Sequence, residues 1–202
     1  MNKEKRIDYF LQLIMVILGV FLGMLASDWN NDNNFNQNKL NLLNGLKTEI
    51  QSNTNYLKTR KSKDIEPFFK SLDSLSAIWN TDKTFLNQPF IGDIEKFPKF
   101  PELGRAKLDD AMFEATKYSN ILSSFEIELL KQITKAYNLQ YNVEDQHYKY
   151  SQRITFIDAD STNEEVKNLM WQIMQDYFGN QYNLIREYET TIKHINILIE
   201  QK

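Results

Sequence analysis

The chain has no cysteine among its 202 residues. That excludes disulfides, thiolate metal sites and a cysteine nucleophile, but it is silent on compartment, since a cysteine-free chain is compatible with either side of a membrane. Histidine is almost absent as well, with only His147 and His194. The six glycines nowhere gather into a loop of the kind that cradles phosphates. Of the four prolines none precedes Pro67, and three fall between residues 89 and 101, so most of the chain is free of helix breakers. Strand-like alternation is scarce. A basic excess is missing too: without residues 1–27, 21 of the 24 basic and 25 of the 27 acidic residues remain, a net charge of −4. Nucleic acid is therefore not an expected partner, because a phosphate groove needs clustered Lys and Arg.

What the chain does have is one long apolar run, FLQLIMVILGVFLGMLASDWNNDNN. Between Tyr9 and Ala26 the only strongly polar side chain is Gln12. A helix of that length spans about 27 Å at 1.5 Å per residue, close to the roughly 30 Å hydrocarbon core of a bilayer. Tyr9 and Trp29 would then place an amphipathic ring at each interface. The run is longer than a cleavable export signal requires, and Met24 suits a cleavage site poorly, so the reading is an uncleaved anchor. A buried core helix would need neither the basic flank nor the terminal Trp. Lys3, Lys5 and Arg6 precede the span, whereas the next basic residue after it is Lys39. The positive-inside rule accordingly keeps the N-terminus cytoplasmic and sends the C-terminal part across.

Gln12, Gly19, Gly23 and Ser27 fall within about 80° of one another on a helical projection. Gly19-x-x-x-Gly23 matches the small-x-x-x-small pattern that lets two membrane helices approach closely, with Gln12 bonding across helices instead of facing lipid. The competing reading is chance, since Gly is common in membrane helices. The face predicts either a homo-oligomer or a pore lining.

Eight asparagines lie between residues 30 and 44, a composition of mediocre helix propensity. Leu40, Leu43, Leu46, Ile50 and Leu57 nevertheless recur at helical spacing. The organisation expected is a basic flank (1–8), a transmembrane helix (9–27), an Asn-rich stalk helix or linker (28–63) and a helical bundle (64–202). Within the bundle the spacing predicts helices over 65–80 (Phe68, Phe69, Leu72, Leu75, Trp79), over 102–118 (Leu108, Met112, Ala115) and over 181–200. Ser123 with Glu126 reads as a capping box opening a long helix that reaches as far as Ile157. Ser161 with Glu164 repeats the signal, and Gly179 reads as the terminator of the helix that follows. Residues 81–101 are irregular, with four phenylalanines to hold them to a core. The fold class is all-α: one N-terminal transmembrane helix, extended into a stalk, followed by a helical bundle.

Chemistry is sparse. Glu144-x-x-His147 has the spacing of half a di-iron site, but Thr191 stands where the second Glu-x-x-His would need its acid, so the expectation is a solvated helix face and no metal. Arg186 and His194 resemble the Arg/His pair of helical RNA-cleaving domains with one residue too many between them and no surrounding basic patch. Tyr137, Tyr141, Tyr148 and Tyr150 read as core and rim packing. No catalytic residue and no cofactor are expected.

The order of these features, with LIMVILGVFLGMLA, the junction SDWNNDNN, then KLNLLNGLKTEIQSNTNYL, and later KLDDAMFEATKYSNILSS and LLKQITKAYN, resembles a family of uncharacterised bacterial single-pass membrane proteins. Its members usually carry Glu, Arg or Lys after the Trp-Asn pair, where this chain has Asn and Asp. The resemblance implies the bacterial cytoplasmic membrane and no assigned activity. A more distant similarity is to accessory membrane proteins of RNA-guided phage-defence loci. Three functions are consistent with these features: a non-enzymatic, self-associating interaction module with lipid and its own copies as partners, its protein partner unknown; an oligomeric pore-forming effector, in phage defence; and a divergent helical RNase.

Overall fold

The computed structural model describes residues 3–67, 69–70, 77, 83–90, 108–119, 121–158 and 160–200, with only the backbone for residues 3–13, 64 and 83. The fold is all-α, 89% helical without strands among those residues. Five helices carry it: α1 (Lys3–Arg60), α2 (Ala111–Lys117), α3 (Ile127–Thr155), α4 (Asn163–Gln172) and α5 (Gly179–Glu200). Two π-helical turns, Lys61–Ile65 and Ile173–Phe178, follow α1 and join α4 to α5. By its contacts the chain divides into two units, Met1–Asn44 and Gly45–Lys202, the division falling inside α1.

In the first unit residues 30–38 are helical, so the asparagines continue the helix that carries the apolar run. Of the described helices, α1 is the one long and apolar enough to cross a membrane by length and composition, and none of its apolar window is buried.

The second unit is built around the apolar stripes of its helices. Leu46, Ile50 and Leu57 of α1, Leu129, Ile133 and Val143 of α3, and Leu184 and Ile195 of α5 are all at most 1% exposed. Each such side chain stabilises the fold by about 1.5–3 kcal/mol. The stripe of α3 runs Leu129, Ile133, Ala136, Tyr137, Gln140, Val143, His147, Tyr150, a helical period that admits polar members. Phe113 of α2 lies flat on Tyr137, ring centroids 4.0 Å apart and planes 3° from parallel. A single helical turn, Lys83–Leu86, precedes Phe90, which packs with Val166 and Met170. There the backbone of Phe90 donates to Ser161 (2.8 Å) and that of Asn163 to Gln88 (3.1 Å), fastening the turn to the start of α4.

Several local expectations are corrected. Ser123 lies inside a 3-10 turn (Leu122–Ser124), and α3 begins after Glu126, whose side chain makes no cap bond. The buried, extended Phe125 sets that start, because the chain must leave the turn to insert the ring. The second capping box exists one residue later, as Thr162 with Glu165: Glu165 N donates to Thr162 Oγ1 (3.3 Å) and Thr162 N to Glu165 Oε2 (2.8 Å). Ser161 is displaced from the role because Asp158 Oδ1 takes both its N–H and its hydroxyl at 3.1 Å. Gly179 ends nothing: it is right-handed (φ −59°, ψ −43°), and the second π turn runs through it into α5. The helix expected over 102–118 is absent from 108–110 and begins at Ala111, with Phe113 and Thr116 buried and Ala115 exposed. Most of the helix expected over 65–80, including Phe68, Leu72, Leu75 and Trp79, and the segment 91–107 lie outside the described residues.

Candidate functional site

Polar side chains of the second unit gather in two interior clusters. The first starts from Glu49 and Asn53, one helical turn apart on α1. Glu49 accepts from Met112 N (2.7 Å) and Phe113 N (3.4 Å), and also from the Tyr137 hydroxyl. It thereby supplies the N-terminal cap that Asp110, the residue in the capping position, does not make. Asn53 brackets the backbone of Asp109, donating to its carbonyl at 2.7 Å and accepting from its N–H at 2.9 Å. Gln140 also reaches the Asp109 carbonyl (3.4 Å) and accepts from the Tyr188 hydroxyl. The Tyr141 hydroxyl lies 3.0 Å from a carboxylate oxygen of both Asp110 and Glu114. Burial pushes Tyr137, Tyr141 and Tyr188 up, and neighbouring carboxylates push the same way, so all three stay protonated donors. At the exposed end the hydrogen bond from Lys117, then that from Tyr141, holds Glu114 below the usual carboxylate range. These bonds fix α2 against α1 and α3.

The second cluster surrounds His147, which is 7% exposed. Its Nδ1 lies 3.1 Å from the Tyr177 hydroxyl and its Nε2 3.4 Å from Ser151 Oγ. Burial, with a smaller push from Arg60, lowers His147 below its ordinary range, so the ring is neutral at pH 7. Burial raises Tyr177, against the opposing pull of Arg60 and Gln181. Tyr150 donates to Asp176 Oδ2 at 2.7 Å and is pushed up to about 12, chiefly by burial. Ser151 lies near the C-terminal end of α3, with its backbone N–H in the helical ladder.

Beside this cluster a cleft of about 250 Å³ opens between the two π turns, bounded by Lys61 and Ile65 of the first, Met174 and Phe178 of the second, and Gly179 and Gln181 of α5. π turns are rare and concentrate at functional sites, because the extra residue re-aims side chains. Lys61 Nζ lies 4.8 Å from the Tyr182 ring centre, and Phe69 meets Phe178 edge-on at 5.1 Å. Gln181 is 4% exposed, and its Nε2 makes no hydrogen bond among the described residues, although the amide is near enough to Tyr177 to favour the phenolate.

Of the residues singled out from sequence, Gly19, Gly23, Ser27 and Trp29 are exposed, and a Cβ at either glycine would meet nothing within 4 Å. The side chains of Tyr9 and Gln12 lie outside the described residues. Arg186 is exposed, and His194 Nδ1 is paired with Gln132 Oε1 at 2.7 Å, so the structure does not join the two. His147 is not on the solvated face expected for want of a second half-site; it occupies the apolar stripe of α3. No group of three or more His, Asp and Glu with metal-binding geometry occurs among the described residues. Sequence reasoning passed over Glu49, Asn53, Gln140, Tyr177 and Gln181. A signal existed: each is a polar residue at a buried position of an apolar stripe, where it must find a partner. Neither a protein-family model, nor a curated protein, nor a solved structure matches this chain.

Proposed function

We propose that the protein is a membrane-anchored, self-associating helical interaction module without enzymatic activity. The observation that carries this reading is the uncovered apolar surface of α1. Met15, Val16, Ile17, Leu18, Val20 and Phe21 are each more than half exposed on every side of the helix. In water that surface would be costly, since apolar area contributes about 25 cal/mol per Å² when removed from it. A bilayer or a second copy of the helix removes it, and Trp29, 76% exposed just beyond the run, suits the interface. In this reading the N-terminus is cytoplasmic and Gly19, Gly23 and Ser27 face a sister helix. From Ile14 to Ala26 no side chain is polar, a composition that supports close packing over a conducting ring.

The test is cross-linking of full-length protein in lipid, wild type against Gly19→Ile with Gly23→Ile. Added side chains meet nothing in their own chain, so any loss of dimer reports the contact between copies. Equal cross-linking of the two proteins rules out this face as the interface, and ion flux from liposomes bearing wild type would favour the pore instead.

A further inference from the structure

We propose that the contact between two copies continues outside the bilayer as a parallel, in-register seam of facing side-chain amides along the stalk. The inference rests on the reading of Gly19 and Gly23 as a contact between copies. From Gly23 the seam follows Ala26, Asn30, Asn33, Gln37 and Leu40, an alternation of three and four residues. On the helix these positions lie within about 100° of one another, the stripe along which two coiled helices meet. The charges are distributed to match: Asp28, Asp32 and Lys39 fall together on the opposite side. Two copies anchored in one bilayer with the same orientation run parallel, so each seam residue meets its own counterpart. A charge in the seam would face a like charge at the same level, whereas an amide is self-complementary, donating and accepting at once. Gln37 gives one proton to Asn41 along the helix at 3.4 Å, which leaves its second proton for the facing copy. How the helix is held is a separate observation. Residues 30–38 are helical and all exposed, although Asn is up to about 0.7 kcal/mol poorer than Ala as a helix former. Most helical stability in proteins comes from packing, and a second copy supplies it here. A charged partner would call for charges on this face and an apolar one for apolar side chains. Outside the span the seam offers amides and the half-buried Leu40, a set that fixes register between identical helices.

The chain has no cysteine, so a single introduced thiol reports on one position. The experiment uses full-length protein in phosphatidylcholine liposomes under mild oxidation. Asn30→Cys, Asn33→Cys and Gln37→Cys should form disulfide-linked dimers at least about tenfold faster than Asp32→Cys, Phe35→Cys and Lys39→Cys on the other side of the helix, the spread expected when only one face meets the partner. A second comparison reads the dimer fraction by single-molecule photobleaching in the same liposomes. Asn30→Lys with Asn33→Lys sets like charges across the seam and should lower that fraction about tenfold. Asn31→Lys with Asn38→Lys adds the same charge beside the seam and should leave it unchanged. Equal oxidation rates around the helix, faster oxidation at 32, 35 and 39, or equal dimer fractions in the two lysine variants would each overturn the proposal. If that happens while Gly19→Ile with Gly23→Ile still abolishes the dimer, the spans pair alone and only the stalk seam is lost. A seam pattern that survives the two isoleucines supports the stalk contact and removes the glycine face instead.

Discussion

The first and second units invert each other. In residues 14–29 the large apolar side chains face outward with nothing over them, Met15 at 74% and Leu22 at 63% exposure. In residues 45–200 the interior holds Glu49, Asn53, Arg60, Gln140, His147, Gln181 and Thr191, each 7% exposed or less. The stretch 14–29 thus leaves its apolar surface bare, while most of the buried polar atoms of the second unit are bonded internally. The contrast teaches that overall composition is a poor guide here. A mean hydropathy of −0.53 for the whole chain hides the apolar run of residues 14–26.

Charging the outward-facing stretch should break the comparison most completely. Leu18→Arg with Leu22→Arg is expected to move the protein out of the membrane fraction, at about 2.5–3.5 kcal/mol for each charge at the centre of a span. Flotation on a density gradient checks it, and a doubly charged protein that still floats would contradict the anchor. The next largest effect lies inside the second unit. Glu49→Ala strands two backbone N–H groups and the Tyr137 hydroxyl, and should lower unfolding stability by about 3 kcal/mol. Chemical denaturation measures this, and a loss below 1 kcal/mol would mean that water replaces the carboxylate. A smaller loss of about 1 kcal/mol is expected from Thr162→Ala, which removes the one complete capping box described. Ser161→Ala should cost less, which separates the observed box from the one read at Ser161 and Glu164.

The smallest effect is confined to a pH window. His147 is held below its ordinary value of 6.5 in the folded state, so below pH 6.5 the unfolded chain takes up a proton that the native chain refuses. Stability should be complete above pH 6.5 and fall as pH drops from there towards the folded value. Tm measured between pH 7.5 and 5.5 should decline more in wild type than in His147→Gln. Parallel curves would show that the imidazole is not what acid reaches.

The helical class was legible because it rests on local periodicity, as in Leu46, Ile50 and Leu57, or Leu129, Ile133 and Val143. The caps were legible only in part. Competition over a residue or two decided them: Asp158 claims Ser161 and leaves the cap to Thr162, and Phe125 delays the start of α3. Gly179 misled because a glycine at a helix end and a glycine under a cleft look alike in one dimension. The interior polar clusters were legible only as polar residues interrupting apolar stripes, never as pairs. Glu144-x-x-His147 was assigned to a solvated face because no second Glu-x-x-His exists, whereas burial placed His147 against Tyr177, thirty positions along the chain.

By itself, then, the sequence determined an all-helical chain with one apolar run of membrane length, because helix formation and hydropathy are properties of neighbouring residues. Only the tertiary structure decided which polar side chains are interior, where α2 is capped and where the cleft opens. Those features are made by partners far apart: Asn53 and Asp109 are separated by 56 positions, Glu49 and Tyr137 by 88. No local pattern encodes such pairs, and each hydrogen bond exists because packing elsewhere had already brought its two groups together.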